Sequence, residues 1–344
     1  MKKLLSNKIV NFCFFLALSI LLIYYAFRSV DFKHIIQGFK NVNYFWVVLS
    51  LVAALTAHIL RAYRWGILIE PLGKKVRFDN LFSAVMIGYF ANIAFPRLGE
   101  VAKCGSVSKT DGIRIESLLG TVVAERGMDV VMLIVSTIIV FFIKIEVFGN
   151  FILTHILIPI KEKALKVHPY QIIILLIIII AFVVIVRIVL KNNLLGEKLN
   201  GKIRKTLKGI ADGLKAVFKS KKKTSFLISS LAIWLFYWIM TWLLLKSVPI
   251  TSNLDLFDGL FIMVIGSFGM TIPVQGGFGA YHIITSVALG IFGISYENGL
   301  IFAIVSHESQ TIFLIIAGIL ALLYLYFKEK HRKKVTEQVA NHPA

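Results

Sequence analysis

A chain of 344 residues with 58% hydrophobic and only 16% charged residues, at a mean hydropathy of +0.81, is too apolar for a soluble protein of this size. Its net charge of +20 lies mostly between and beyond apolar segments, so nucleic acid is not an expected partner. Two cysteines, Cys13 and Cys104, give neither a disulfide framework nor metal-ligand spacing, and no metal or cofactor is expected.

The first apolar segment, 9–27, follows Lys2, Lys3 and Lys8. It is longer than a signal-peptide core, and Tyr24-Tyr25-Ala26-Phe27-Arg28 offers no small-x-small cleavage site, which predicts a retained helix. Segment 31–42 is short and mixed, with Phe32, Ile35, Ile36 and Phe39 on one helical face, and is expected to lie along the membrane interface. Apolar segments follow at 44–69, 79–96, 117–144, 170–190, 224–246, 256–272, 279–293 and 298–327. Those of about 18 residues or more can cross ~30 Å of hydrocarbon. Residues 146–169, with Pro159, Pro169 and scattered lysines, read as an external loop. The stretch 191–223 holds eleven Lys and Arg, while Leu199, Ile203, Leu207, Ile210, Leu214, Val217 and Phe218 recur at helical spacing. It reads as a basic amphipathic helix on an anionic leaflet, or as a solvated positive loop in the same place.

Positive charge sets the orientation. Lys2, Lys3 and Lys8, the 191–223 stretch and the basic tail 329–344 are all expected in the cytoplasm. Segment 44–69 then runs inward, and 117–144 must start inside, after Lys103, Lys109 and Arg114. Segment 79–96 is left no room to cross, so it predicts a re-entrant hairpin turning near Pro96. By the same parity, 256–272 and 279–293 form a second hairpin entering from the outside. Its break falls at Pro273 through Gly279, where proline removes a donor and glycines permit unusual backbone angles. The predicted architecture is a single all-α membrane domain over 1–328, with about six full crossings and two oppositely oriented re-entrant hairpins. Its inverted halves lie at about 9–145 and 170–327, the plan of transporters whose sites form at broken helices. A faint sequence echo accompanies it: Ile87-Gly88-Tyr89-Phe90 precedes Pro96-Arg97-Leu98-Gly99, and Ile265-Gly266-Ser267-Phe268 precedes Pro273-Val274-Gln275-Gly276.

Ionisable groups inside spanning segments are costly and become functional candidates. Glu125, Arg126 and Asp129 lie ~12–18 Å along segment 117–144 from its cytoplasmic end. They read either as an ion-pair knot binding this helix to its neighbours or as a substrate or proton site. The first hairpin adds Asn92, Arg97, Glu100 and Lys103, with Arg97 suited to a lipid phosphate. The second adds Gln275, Gly276, Gly277 and Gly279, beside Tyr281 and His282. His307 and Glu308 in the last crossing are the counterpart of the Glu125 group. His58, Arg61 and Arg64 read most simply as side chains snorkelling to the inner end of their helix. No hydrolase, P-loop, Rossmann or zinc motif is present.

The sequence Arg61-Ala62-Tyr63-Arg64-Trp65, Gly88 to Asn92 with Pro96-Arg97-Leu98-Gly99-Glu100, Ala124-Glu125-Arg126-Gly127-Met128-Asp129, and Pro273 to Gly279 together resemble one family. It is the flippase-like membrane domain of lysylphosphatidylglycerol synthases, which includes stand-alone relatives. The resemblance spans about residues 8–328. It implies movement of a polar phospho- or glycolipid between leaflets of a bacterial inner membrane, with anionic or lipid-linked head groups as partners. Beyond Phe327 this sequence has only a basic tail, so the aminoacyl-transfer domain of full synthases, and enzymatic activity with it, are not expected. Two alternatives stay open: an ion- or proton-coupled transporter of small solutes, and an intramembrane transferase acting on a lipid-linked substrate. Whether the chain forms a homodimer is also open.

Overall fold

The computed structural model describes residues 2–28, 30–95, 98–145 and 222–341, the stretches 2–14, 32 and 333–341 by backbone only. The predictions for Arg97, the turn at Pro96, the 146–169 loop, the 170–190 crossing and nearly all of the 191–223 stretch lie outside the described residues. Among those residues every regular element is helical.

In chain order these are α1 (Lys2–Phe27), α2 (Phe32–Lys40), α3 (Tyr44–Ile69), α4 (Phe78–Ala94), α5 (Gly99–Asp111) and α6 (Ile115–Ile143). After the gap come α7 (Lys223–Ser247), α8 (Leu256–Thr271), α9 (Ala280–Leu289) and α10 (Tyr296–Asn341). Among the described residues four stretches are long and apolar enough to cross a bilayer: Tyr44–Leu72, Ile115–Ile143, Lys223–Ser247 and Tyr296–Arg332. Their outer faces, such as Val130, Ile134, Ile138 and Phe142 on α6, are large, apolar and exposed. Polar and charged side chains are buried inside instead. That arrangement suits lipid as the surrounding solvent, and the chain is a multi-pass membrane protein. The tail expected to be separate from the last crossing is continuous with it, since α10 runs unbroken to Asn341. On α2, Ile35 is buried while Ile36 points outward, so the anticipated apolar face is divided between the body and its surroundings.

Two pairs of helices are antiparallel hairpins. In the first, Asn80 at the start of α4 donates to Asp111 at the end of α5 (2.9 Å), and Lys74 reaches the Asp111 and Gly112 carbonyls. Both ends of this pair therefore lie side by side. In the second, Phe261 near the start of α8 meets Phe292 just beyond α9, with ring centroids 5.7 Å apart. Each first arm stops one residue before a proline, at extended Phe95 and Ile272, because a residue preceding proline is pushed out of the helical region.

The packing has an internal correspondence. α3 packs on α4 as α7 packs on α8; α5 on α6 as α9 on α10; and α10 on α4 as α6 on α8. The last two pairings cross between the halves, and lysines fasten both. Lys328 of α10 reaches Asp79 of α4 (2.6 Å), while Lys144 at the end of α6 reaches Asp255 (2.7 Å) and Asp258 (3.0 Å) at the start of α8. α3 and α7 pack extensively on one another between these sets.

Candidate functional site

The first polar centre sits where α3, α5, α6 and α7 meet. Arg61 reaches Glu125 (3.0 Å) and Asp129 (2.9 Å), and Arg64 reaches Asp129 (2.7 Å). Lys103 comes from α5 to the other Glu125 oxygen (2.6 Å) and lies 4.0 Å from the centre of the Trp65 ring. Helical spacing accounts for the match. Arg61 and Arg64 are three apart and Glu125 and Asp129 four apart, so each pair projects from one helix face and the two faces meet. Tyr237 of α7 accepts from Arg61 Nη1 (3.1 Å) and Ser230 from Arg64 Nη1 (3.2 Å). Trp65 donates to Thr121 (2.9 Å).

Arg61 and Arg64 therefore do not snorkel. Arg64 is fully buried and Arg61 nearly so, because α6 offers carboxylates at their depth, and a paired charge inside costs less than an unpaired one. His58 is buried as well, against the rings of Tyr89 and Phe313. Lys103 is the residue that spacing alone could not place, since its partner is on another helix.

The Glu125-Arg126-Asp129 cluster is split by the helix. Arg126 faces away from its neighbours' partners and reaches Glu100 of α5 (2.7 Å), with half of its side chain exposed. This pair lines a narrow cleft between α4, α5 and α6, whose wall also includes Arg61, Lys103, Glu125, Tyr89 and Asn92. Glu100 Oε2 is buried and has no hydrogen-bond partner. Asn92 borders the cleft, but its side-chain oxygen accepts the Gly99 N–H (2.7 Å) and so caps α5. Three cations and two carboxylates line the cleft, and Arg64 with Asp129 behind them cancel, leaving one uncompensated positive charge.

The second polar centre lies at the broken turn between α8 and α9. Gly276, Gly277 and Gly279 all have positive φ (54°, 82° and 77°), the region in which glycine carries no penalty. Gly279 has a second reason to be glycine: a Cβ there would strike the backbone of α1 at Leu22 and Ile23. Gln275 packs its amide between Ser19 Oγ, the Phe15 carbonyl (2.9 Å) and the Leu16 N–H (3.1 Å), fastening the turn to α1. Its predicted availability to a substrate is not matched by that geometry, because the amide is already occupied. His307 donates from Nε2 to the Gly276 carbonyl (2.8 Å), and its Nδ1 lies 3.0 Å from Glu308. His282, which the second hairpin was expected to offer, also reaches Glu308 (3.4 Å).

A family profile described as "Lysylphosphatidylglycerol synthase TM region" matches residues 13–318. Over 154 residues the sequence is 28% identical to a UPF0104 membrane protein of Methanocaldococcus jannaschii. That alignment covers 44% of this chain and 44% of the relative, so it spans under half of the relative's length. No solved structure matches.

Proposed function

The chain belongs to the lysylphosphatidylglycerol synthase TM region family, and from that membership, which points to a role tied to membrane lipid, we propose that it moves a polar lipid with an anionic head group between leaflets. The observation that carries the reading is the cleft beside Arg126 and Glu100, walled by Arg61 and Lys103, with one positive charge in excess. In a low-dielectric surrounding, an uncompensated cation favours an anionic partner far more than it does in water. A phosphate head group supplies that charge and several acceptor oxygens, and a guanidinium matches it with paired donors. Arg126 is the side chain free enough to exchange Glu100 for such a group. Glu125 and Asp129 hold the cationic wall together from behind. The activity is transport rather than catalysis, with membrane lipids as partners.

In this reading the two helical pairs are re-entrant hairpins of an inverted repeat, the first entered from the cytoplasm and the second from the outside, with both termini cytoplasmic. Among the described residues the crossings are α1, α3, α6, α7 and α10.

The test is transbilayer movement of fluorescent phosphatidylglycerol in proteoliposomes holding equal amounts of folded wild-type or Arg126→Ala protein. A rate at least tenfold lower in the variant is expected, and equal rates overturn the role given to Arg126. Turnover of a lipid-linked donor in detergent, without a bilayer, would instead indicate transfer chemistry.

A further inference from the structure

The second polar centre contains a contact that a neutral imidazole facing an ionised carboxylate does not explain. The Gly276 carbonyl can only accept, so His307 Nε2 must carry the hydrogen it shares at 2.8 Å. In a neutral ring this leaves a lone pair on Nδ1, aimed at a carboxylate oxygen of Glu308 3.0 Å away. Thr311 Oγ1 touches the same nitrogen only at 3.5 Å. His282 Nε2 approaches that same Glu308 oxygen at 3.4 Å, and its Nδ1 is buried without a hydrogen-bond partner. Two ring nitrogens and a carboxylate thus converge within 4.8 Å of one another. His307 Nδ1 and an ionised Glu308 are both acceptors, and so placed they repel unless a positive species is shared between them.

We propose that His282, His307 and Glu308 form a binding site for a divalent transition-metal ion of the zinc type. Two imidazoles and one carboxylate make a ligand set zinc uses when one coordination position stays open. Ligand atoms about 2.1 Å from a tetrahedral ion lie about 3.4 Å apart. The His282–Glu308 contact (3.4 Å) has that span and the His307–Glu308 contact (3.0 Å) is slightly shorter, so ion binding requires only that the three ligand atoms, within 4.8 Å of one another, adjust by side-chain rotation. The Gly276 carbonyl supplies the outer hydrogen bond that fixes the tautomer of a metal-bound histidine. It is aimed by the positive φ of Gly276 (54°), so the broken turn and the ligand set belong to one design. The internal correspondence of the fold supports the assignment. Where α5 meets α6, the ammonium of Lys103 sits against Glu125 at 2.6 Å. Where α9 meets α10, the corresponding place holds the two histidines and Glu308. One half carries a covalent cation there and the other a set of ligands for an exchangeable one. The open position would face an anionic group in the transport path, though the site stands on its own geometry and not on the lipid reading.

The full-length protein, purified without a polyhistidine tag and stripped with a chelator, is loaded with ZnCl₂ or CoCl₂ and desalted. Metal content is then measured by plasma mass spectrometry. Retention of about one Zn²⁺ per chain is expected, with tetrahedral visible bands from Co²⁺ and none of this with Mg²⁺. His282→Ala and Glu308→Gln should each lower retention at least tenfold, while His331→Ala, on the exposed end of α10, should not. Retention below a tenth of an equivalent by the wild type overturns the site and leaves a proton as the shared species. So does equal retention by folded Glu308→Gln. Should the variants fail to fold, the wild-type cobalt spectrum decides alone: octahedral bands, or none, overturn the assignment.

Discussion

Glu125 and Arg126 are neighbours in sequence with different neighbourhoods in space, and substitutions there should separate stability from transport. Glu125 faces three cations across two other helices. Glu125→Gln leaves Lys103 and Arg61 under-compensated in the interior and should cost about 3–5 kcal/mol, the price of breaking a buried pair from one side. Chemical denaturation in detergent measures it. Arg126 and Glu100 are partly solvated, so Glu100→Gln should change stability by less than about 1 kcal/mol and act mainly on the transport rate. A fall in stability as large as that of Glu125→Gln would place Glu100 in the structural network instead. The Glu-Arg-x-x-Asp spacing made these residues visible as a group. Its division into a fastening and a lining function was invisible, because partners on α3 and α5 lie 22 to 68 residues away.

At the scale of elements, the first hairpin depends on close backbone contact. A Cβ on Gly99 would collide with the Gly88 carbonyl and the Asn92 amide, while one on Gly88 meets the Gly99 carbonyl at 3.0 Å. Gly99→Ala must therefore push α5 from α4, with a loss of about 1–3 kcal/mol or more. It should also loosen the Lys103–Glu125 contact, visible as a lower thermal midpoint. Gly120, with open space around it, is the control whose alanine variant should keep its midpoint. The clamp between α6 and α8 carries a pH signature. Partial burial pushes the Asp255 carboxyl up, but the Lys144 ammonium and the Asp258 and Phe257 N–H groups outweigh it and hold it below the usual carboxylate range. A depressed folded pKa means stability present above the unfolded value of ~3.9 and lost as pH falls through the folded one. The wild-type thermal midpoint should therefore begin to drop as the pH falls below about 5 and continue to fall below the unfolded pKa of ~3.9. Asp255→Asn should show a shallower drop, and parallel curves would remove the clamp from the acid response.

At the scale of the molecule, the arrangement in the bilayer follows from whether each hairpin returns to the side it enters. Cysteines at Lys75 and Lys109 should react with an impermeant reagent from one side only, and cysteines at Ile250 and Ser295 only from the other. Labelling of the first pair from opposite sides would turn the first hairpin into a crossing and remove the inverted arrangement. The matched clamps, Lys328 to Asp79 and Lys144 to Asp255, show how the halves hold each other. Each long helix ends on the start of the other half's hairpin.

The lipid solvent, the long apolar helices and the two proline-centred breaks are written locally in the chain. Apolar length, proline position and glycine content are local properties, and the surrounding lipid makes them decisive by forcing every backbone polar group to be paired within its own segment. The Pro273 to Gly279 break and the end of α4 before Pro96 were legible for that reason. Which charges meet depends on how the helices pack. Lys103, Arg61 and Arg64 became an interior network, Gln275 a tie to α1, and His282 a companion of His307 and Glu308. Such pairings depend on how helices far apart in the chain are rotated against one another, and a helix's own periodicity specifies its face but not the partner that the face will find.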